Sequence, residues 1–409
     1  MKCLNNYKTK FMKRLLIASI CSFAILWNGN VRSQENKTEG YVFTPVKDIK
    51  HTPVKNQSST STCWIFSSLG FLEAELIRTG KPEMDLSEMY ISKNVYMDKA
   101  DKYVRMQNTI NYGPGGSFWD VIDAIKKYGI TTEEAFKGLN YGEDRHIHGE
   151  LDEATKAYLD AIIKNPNRKL STAWKRSLEG IFNAYLGENP KSFTVNGKEY
   201  TPKSFAESLG LNLDDYVYIT SFSHHPFYQK FIIEVPDNWA QKEIYNLPID
   251  EFSQIFDYAV ENGYTVAWAS DISEKGFSYK NGVAVVPDMN LNEMSETDKA
   301  KWTSLSSRDK DAQLYTFDKP CFEKTITQEL RQQGFDNFQT TDDHGMLVVG
   351  TAKDQNGKVY FKIKNSWGTD GKYNGYFYAS KAFLLYKTTS IMVNKNSIPK
   401  SIATKLGIK

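Results

Sequence analysis

Apolar residues recur every three or four positions in the first half of the chain, and this period predicts amphipathic helices. The clearest case runs from Cys63 to Ile77, with apolar positions at Phe66, Leu69, Leu72, Leu76 and Ile77. Gly80 and Pro82 end this helix, because glycine readily takes the left-handed cap conformation and proline cannot continue the hydrogen-bond ladder. Further helices are predicted for LSEMYISKNVYMDKA, FWDVIDAIKKYG, LDEATKAYLDAIIK and TAWKRSLEGIFNAYL.

The second half of the chain carries shorter apolar runs that are typical of strands. These runs are KFIIEVPDN, GYTVAWASDI and GVAVVP, with the helix LPIDEFSQIFDYAVENG between the first two. MLVVGTAKDQNGKVYFKIKNSW predicts two strands joined at Asn356-Gly357, and Asn196-Gly197 predicts a smaller hairpin, because this dipeptide favours tight turns. The pattern therefore predicts an α+β fold, with helices first and most strands later.

Residues 1–33 have the order of an export signal. Basic residues come first, an apolar stretch from Leu15 to Trp27 follows, and small residues surround Ser33. This stretch is shorter than the about 20 residues that a transmembrane helix needs, so we expect cleavage after Ser33 and no lasting membrane span. The protein is then expected to be periplasmic or secreted. Cys21 is a weak candidate for lipid attachment, because the bulky Ile20 precedes it.

Removing the signal changes the charge of the chain and argues against one class of partner. Residues 1–33 hold six of the 51 basic residues and none of the 49 acidic ones, so the formal charge falls from +2 to −4. No block rich in lysine and arginine remains, which argues against a nucleic-acid partner. Only Cys63 and Cys321 remain of the four cysteines, so packing must stabilise the fold without a disulfide framework.

Cys63 opens the best-defined helix, where the positive end of the helix dipole lowers the pKa of a thiol. Among the six histidines, His344 stands at the start of the predicted hairpin, and Asn365 follows its second strand. The hairpin brings these two ends side by side, so Asn365 can orient the imidazole while its other nitrogen faces a thiolate. Gln57 can supply an amide donor to an oxyanion, together with the backbone amide of Cys63.

An ordered set of short motifs resembles the papain-like cysteine peptidases. The motifs are Gln57-x5-Cys63-Trp64, Leu86-Ser87-Glu88, Gly115-Gly116, Asp343-His344 and Asn365-Ser366-Trp367-Gly368. The resemblance implies a two-lobe fold, with a helical lobe and a β-barrel-like lobe. It implies roles for Cys63 as nucleophile, His344 as general base and acid, Asn365 as its orienter and Gln57 as oxyanion donor. Gly115 and Gly116 would bind an extended peptide substrate, and no cofactor or metal is needed.

The spacing of these motifs favours one branch of that family. His344 follows Cys63 by 281 positions, against about 130–150 in papain and the cathepsins, which indicates a large insertion. With HPFYQKF and LPIDEFSQIFDYAVENGYTVAWASDIS, the chain resembles bleomycin hydrolase and aminopeptidase C. We therefore divide it into a signal peptide (1–33), a helical lobe with the nucleophile (34–145), a mainly helical insertion (146–235) and a β-rich lobe with His344 and Asn365 (236–409).

Three functions stay open on the sequence alone. The resemblance implies an aminopeptidase that forms hexamers and places a C-terminal arm in the cleft, whereas the short tail after TTSIMVNK favours an open-cleft endopeptidase or a smaller assembly. A catalytically silent peptide-binding protein is the third reading, although binding alone does not need a thiol and an imidazole in register.

The sequence also supports roles for several neighbouring residues. Asp343 is expected to shape the leaving-group side or to tune the imidazole, and Asp342 to be solvated. Trp367 is read either as a shield over the His344–Asn365 bond or as core. His224 and His225 are not expected to share a ligand, because adjacent side chains of an extended segment point to opposite faces. Cys321 has no companion motif and is read as structural.

Overall fold

The structure is a computed structural model that describes residues 40–409. The predicted signal peptide and its cleavage point lie outside the described residues. The helices are α1 (Cys63–Arg78), α2 (Glu88–Arg105), α3 (Phe118–Tyr128), α4 (Gly149–Ile163), α5 (Ala173–Leu186), α6 (Pro202–Leu209), α7 (Ile249–Glu261), α8 (Glu296–Ser304), α9 (Ser307–Leu314), α10 (Gln328–Asp336), α11 (Lys381–Lys387) and α12 (Lys400–Lys405).

Strands are concentrated after residue 215, as the hydrophobic pattern predicts. They are β1 (Phe43–Asp48), β2 (Phe193–Val195), β3 (Lys198–Tyr200), β4 (Tyr216–Thr220), β5 (Lys230–Ile232), β6 (Glu243–Asn246), β7 (Val266–Ser270), β8 (Phe277–Ser278), β9 (Val283–Ala284), β10 (His344–Asp354), β11 (Val359–Lys364), β12 (Tyr376–Ser380) and β13 (Thr388–Asn394). The predicted hairpins are confirmed as β2–β3 and β10–β11, and the predicted helices at Cys63 and at LPIDEF are confirmed as α1 and α7.

Eleven strands form one mixed sheet, in the order β5-β6-β4-β13-β7-β10-β11-β12-β9-β8, with β1 also paired to β10. The path is open, and among residues 40–409 no strand pairing closes it into a barrel. The expectation of a barrel-like lobe is corrected here: the sheet is open, because β5 and β8 stand at opposite ends of the path. Strands β4 to β6 join the same sheet as the last hundred residues, and the domain boundaries at 145 and 235 stay predictions.

The central strands are buried on both faces. On β10, Leu347 packs with the helices α1 to α5, whereas Met346 and Val348 pack on the other side with α7 and α11. β7 follows the same alternation, with Ala267 on the first face and Trp268 on the second. Because successive side chains of a strand point to opposite faces, a strand covered on both sides reads as a continuous apolar run. None of the helices in residues 40–409 combines the length and the apolar character that crossing a bilayer requires.

Candidate active site

Helix α1 brings Cys63 to one wall of a cleft, and β10 brings His344 to the opposite wall. The two elements approach closely at Gly345. A side-chain carbon at this position would lie 2.7 Å from Ser67 Oγ and 3.0 Å from the backbone Cα of Trp64. Only glycine therefore lets β10 lie directly against the first turn of α1, next to the thiol.

Cys63 is the first residue of α1 and is half-buried. Burial raises the pKa of its thiol to about 12, while the backbone N–H groups of Gly345 and Trp64 hydrogen-bond the sulfur and work in the opposite direction. The negative charges of Asp237 and Asp342 add to the rise. The buried surroundings therefore oppose the effect of the helix start on the pKa of the thiol.

His344 and Asn365 are held together as the hairpin predicts. His344 Nε2 lies 2.7 Å from Asn365 Oδ1, and the two residues are 5% and 2% exposed. The same Asn365 oxygen accepts the backbone N–H of Ser366, which fixes the orientation of the amide. With Nε2 engaged, Nδ1 is the ring nitrogen left for the cleft. Burial lowers the pKa of His344 to about 4, against smaller opposing effects of Asn365 and Asp343, so the imidazole is neutral.

Trp367 stacks on the imidazole of His344, with ring centroids 4.8 Å apart and planes inclined by 28°. Its indole is contacted edge-on by Phe277 and Tyr279. An aromatic ring in this position excludes water from one side of the imidazole. The stacking is consistent with the shield interpretation of Trp367.

Gln57 lies at the same cleft as Cys63 and is 6% exposed. Its Oε1 accepts a hydrogen bond from Ser366 Oγ at 2.6 Å, and its Nε2 donates to the backbone oxygen of Thr60 at 2.8 Å. A primary amide has two N–H donors, so one remains for a group in the cleft. The backbone N–H of Gln57 also bonds the oxygen of Ser366, which ties this residue to the neighbour of Asn365.

Gly115 and Gly116 form the rim of the cleft near Trp64. The indole Nε1 of Trp64 donates to the oxygen of Pro114 at 3.1 Å, and a side-chain carbon on Gly116 would lie 2.8 Å from the indole ring. A side chain on Gly115 would collide with the carboxylate of Asp237. Both positions need glycine for close approach, and both line the cleft.

Asp343 lines the cleft, but its carboxylate is turned toward the loop after β7. It accepts hydrogen bonds from the backbone of Ile272 and Ser273 and from Thr341 Oγ1, the last at 2.8 Å. Burial works to raise the pKa of Asp343, but these bonds outweigh it and hold the pKa below its usual range. Its negative charge acts on His344 by raising the imidazole pKa.

Sequence reasoning missed two residues of the cleft. Asp342, expected to be solvated, is half-buried there and accepts a hydrogen bond from Thr389 Oγ1 at 2.9 Å. His344, the first residue of β10, is two positions away, and the alternation of an extended segment could have indicated that both face the same side. Asp237, between β5 and β6, lies at the cleft next to Gly115. No motif marks it, because only the folding of the segment between β5 and β6 brings it there.

His224 and His225, which lie outside the cleft, were not expected to share a ligand, but they contact the same carboxylate. The Nε2 atoms of His224 and His225 both reach the carboxylate of Glu234, at 3.0 and 2.9 Å. The expectation of opposite faces is wrong because the pair lies in a turn and not in an extended strand. Cys321 is a free thiol whose sulfur accepts a hydrogen bond from Tyr41.

Comparisons with known proteins agree with the fold and with the resemblance of the motifs. The model of the Peptidase C1-like family matches residues 2–303 and 306–408. An aminopeptidase C of Streptococcus thermophilus is 25% identical over 91% of this chain and 87% of its own length. Bleomycin hydrolase of Rattus norvegicus is 22% identical over 90% of this chain and 85% of its own.

A solved structure has the same fold at low sequence identity. The crystal structure of PepW from Lactobacillus rhamnosis HN001 is similar with a TM-score of 0.67 and 19% identity. The similarity covers 89% of this chain and 84% of that chain.

Proposed function

The chain belongs to the Peptidase C1-like family, the cysteine peptidases that include aminopeptidase C and bleomycin hydrolase, and we propose that it removes residues from the free amino terminus of peptides. Cys63 is the nucleophile, His344 the general base and acid, and Asn365 the residue that orients the imidazole. The observation that supports this most strongly is the 2.7 Å bond between His344 and Asn365, in a cleft that they share with a thiol at a helix start.

In the proposed reaction, the sulfur of Cys63 attacks the carbonyl carbon of the scissile bond, and the thiol proton passes to Nδ1 of His344. Because burial favours the neutral thiol and the neutral imidazole, this proton transfer accompanies the attack. The free N–H of Gln57 and the backbone N–H of Cys63 stabilise the oxyanion. His344 then protonates the departing amine as the C–N bond breaks, which leaves a thioester.

Hydrolysis of the thioester completes the proposed cycle. His344 takes a proton from the attacking water, the C–S bond breaks, and the proton returns to the sulfur of Cys63. Trp367 keeps water away from the His344–Asn365 bond, and the backbone at Gly115 and Gly116 binds the peptide in an extended form. Asp343 tunes the imidazole through its negative charge.

The finer architecture and the location are part of the same proposal. We infer a helical lobe that carries Cys63 and a β-rich lobe that carries His344 and Asn365, with an insertion between them. The order of residues 1–33 supports export to the periplasm or beyond. Cell fractionation with N-terminal sequencing tests this: export predicts a chain that starts at Gln34 outside the cytoplasm, and an intact Met1 terminus in the cytoplasm contradicts it.

A second candidate is an endopeptidase with an open cleft. Within residues 40–409, the segment after β13 borders a groove near Tyr218 and Lys126 and does not line the cleft of Cys63, as an open cleft requires. Paired fluorogenic peptides with free or acetylated amino termini separate the two candidates. Preference for the free amine supports the aminopeptidase, and equal or faster cleavage of the acetylated peptide supports the endopeptidase.

The variant Cys63→Ala tests whether either activity belongs to this site. It is expected to lower kcat on the order of 10⁴-fold or more while the protein still folds. Labelling with a thiol-reactive peptide electrophile provides a second readout, with Cys321→Ala as the matched control that keeps labelling. Equal hydrolysis by Cys63→Ala and the parent protein would refute the proposed mechanism, and a parent that neither cleaves nor labels would favour a silent peptide-binding protein.

A further inference from the structure

The charges that line the cleft all have the same sign. Among residues 40–409, the lining includes three aspartates, Asp237, Asp342 and Asp343, and no lysine or arginine. Asp343 accepts hydrogen bonds from the backbone of the loop after β7, whereas the carboxylates of Asp237 and Asp342 do not. His344 and Gln57, each more than nine-tenths buried, face the same cleft with a nitrogen donor or acceptor unused. The two carboxylates thus line the same cleft as the residues of the proposed reaction.

The position of the two carboxylates relative to the thiol is defined by their neighbours. Asp237 lies against Gly115, on the rim where the resemblance places the substrate backbone. Asp342 precedes His344 by two residues, and Thr389 Oγ1 donates to one of its oxygens. Asp237, Asp342 and Cys63 all line the one cleft.

The nearest cation lies behind the rim. Lys99 Nζ donates to the backbone oxygens of Gly113, at 2.8 Å, and Gly115. Lys99 is fully buried, so it compensates part of the charge of Asp237 without occupying the cleft. Asp237 also accepts a weak hydrogen bond from Asn111, at 3.3 Å. Neither neighbour is hydrogen-bonded to Asp342, which accepts from Thr389.

We propose that Asp237 and Asp342 bind the ammonium group of the peptide substrate and select peptides with a free amino terminus. The proposal rests on the proposed peptidase function and identifies the residues that supply its specificity. A cation between two carboxylates forms charge-assisted hydrogen bonds with both and removes their mutual repulsion. An acetylated terminus has no charge and leaves both carboxylates without a partner in the cleft. The same chemistry would accept the side chain of a lysine that precedes the residue whose carbonyl is attacked.

The test compares Asp237→Asn, Asp342→Asn and the double variant on three fluorogenic substrates. These are an aminoacyl amide with a free amine, the same amide acetylated, and an acetylated dipeptide amide with lysine as its first residue. We expect kcat/KM on the free amine to fall about 10- to 100-fold in each single variant, mainly through KM. Activity on the plain acetylated amide should stay the same or rise. Asp257→Asn, an exposed carboxylate on α7 that pairs with Lys381, is the matched control.

The outcomes distinguish a terminal ammonium group from a lysine side chain, and they distinguish a loss of selectivity from a defect in folding or catalysis. Activity of the parent on the lysine dipeptide that the variants lose would show that a side-chain ammonium group also occupies the site. An equal loss on the free and acetylated amides would overturn the proposal, because the aspartates would then act on the chemistry or on the fold. Melting temperatures of the variants identify a folding defect, and Glu at either position should restore part of the selectivity.

Binding to Cys63→Ala keeps the proposal testable when no hydrolysis is found. Calorimetry with this variant should give at least about tenfold tighter binding of the free-amine peptide than of the acetylated one, and the two Asp→Asn changes should remove the difference. Selective binding without hydrolysis by the parent would support the ammonium site and refute the peptidase function. Hydrolysis by the parent without selective binding would support the peptidase function and refute the ammonium site.

Discussion

Gly345 decides how closely the strand that carries His344 approaches the helix that carries Cys63. Replacing it with alanine puts a carbon 3.0 Å from the Cα of Trp64, and this backbone cannot move without shifting the helix. We expect Gly345→Ala to destabilise the protein by about 1–3 kcal/mol and to lower kcat, because the thiol and the imidazole move apart. Urea unfolding and peptide hydrolysis measure the two effects.

Gly180→Ala is the matched control for this prediction. Gly180 lies inside α5 and has no neighbour within 4 Å of an added carbon, so alanine should be neutral or stabilising there. A Gly345→Ala protein with the stability and turnover of the parent would mean that β10 and α1 are not held together by this contact.

Gln57 is the residue whose proposed role in transition-state stabilisation can be isolated. In Gln57→Glu the carboxylate still accepts the hydrogen bond from Ser366 Oγ, but the amide donors are lost and a negative charge faces the oxyanion. We expect kcat to fall on the order of 10²–10³-fold with little change in KM. Steady-state kinetics on one peptide amide measures both parameters.

Ser366→Ala separates the donor role of Gln57 from its structural role. This change removes the bond to Gln57 Oε1 and leaves the amide donors in place. Its loss in kcat should stay below about tenfold. Similar losses in the two variants would assign Gln57 a positioning role only.

At the scale of elements, Lys55 joins the segment before Gln57 to α1 and α2. Its ammonium group lies 2.9 Å from Glu73 of α1 and 2.8 Å from Glu88 of α2, and both carboxylates are buried. Burial raises the pKa of Glu88 to about 7, although the charge of Lys55 works against it. The motif Leu86-Ser87-Glu88 therefore contributes one of the anions that hold Gln57 near the cleft.

We expect Lys55→Met to destabilise the protein by about 3–5 kcal/mol at pH 8, because the buried Glu88 is then charged and has lost its cation. The loss should be smaller at pH 6, since Glu88 is protonated below its raised pKa. Urea unfolding at the two pH values measures the difference. Lys362→Met, which removes a pair with the exposed Asp48, should cost less than about 1 kcal/mol. A loss from Lys55→Met as small as that of the control would contradict the prediction.

At the scale of the whole molecule, the pH profile depends on which group of the substrate is bound. Burial, together with the charge of Asp237, raises the pKa of Asp342 to about 7. Lys99 acts on Asp237 in the opposite direction, Thr389 lowers the pKa of Asp342, and Asp343 adds a further negative charge. A carboxylate is charged only above its pKa, so the ammonium site weakens as pH falls below about 7.

Hydrolysis of free-amine and of acetylated peptides should therefore be lost at different pH values on the acid side. Activity on the free amine should fall through pH 7, and it should fall again above about pH 8 as the α-amine loses its proton. Acetylated peptides need only a neutral His344, whose pKa is about 4, so their activity should persist to about pH 5. Rate profiles of kcat/KM on both peptides check this. If kcat/KM fell at the same low pH for both peptides, this would show that the aspartates do not bind the amine.

Much of the reactive geometry could be predicted because it is local. Helix α1 follows from the spacing of its apolar residues, and the distance between His344 and Asn365 follows from the hairpin that joins them. The open sheet did not follow from the sequence, because strand order depends on pairings between distant segments. The shared contact of His224 and His225 was also missed, since a turn and a strand differ there only in backbone angles.

The sequence by itself determined the family and the α+β class, and it supplied the proposed reactive residues, because these depend on residue type and short spacing. Tertiary structure alone decided the electrostatics of the cleft. Asp237 reaches Gly115 across 122 positions of the chain, and burial raises the pKa of Cys63 although its helix start would lower it. Charge and solvation depend on everything that packs around a group, so they appear only when distant segments meet.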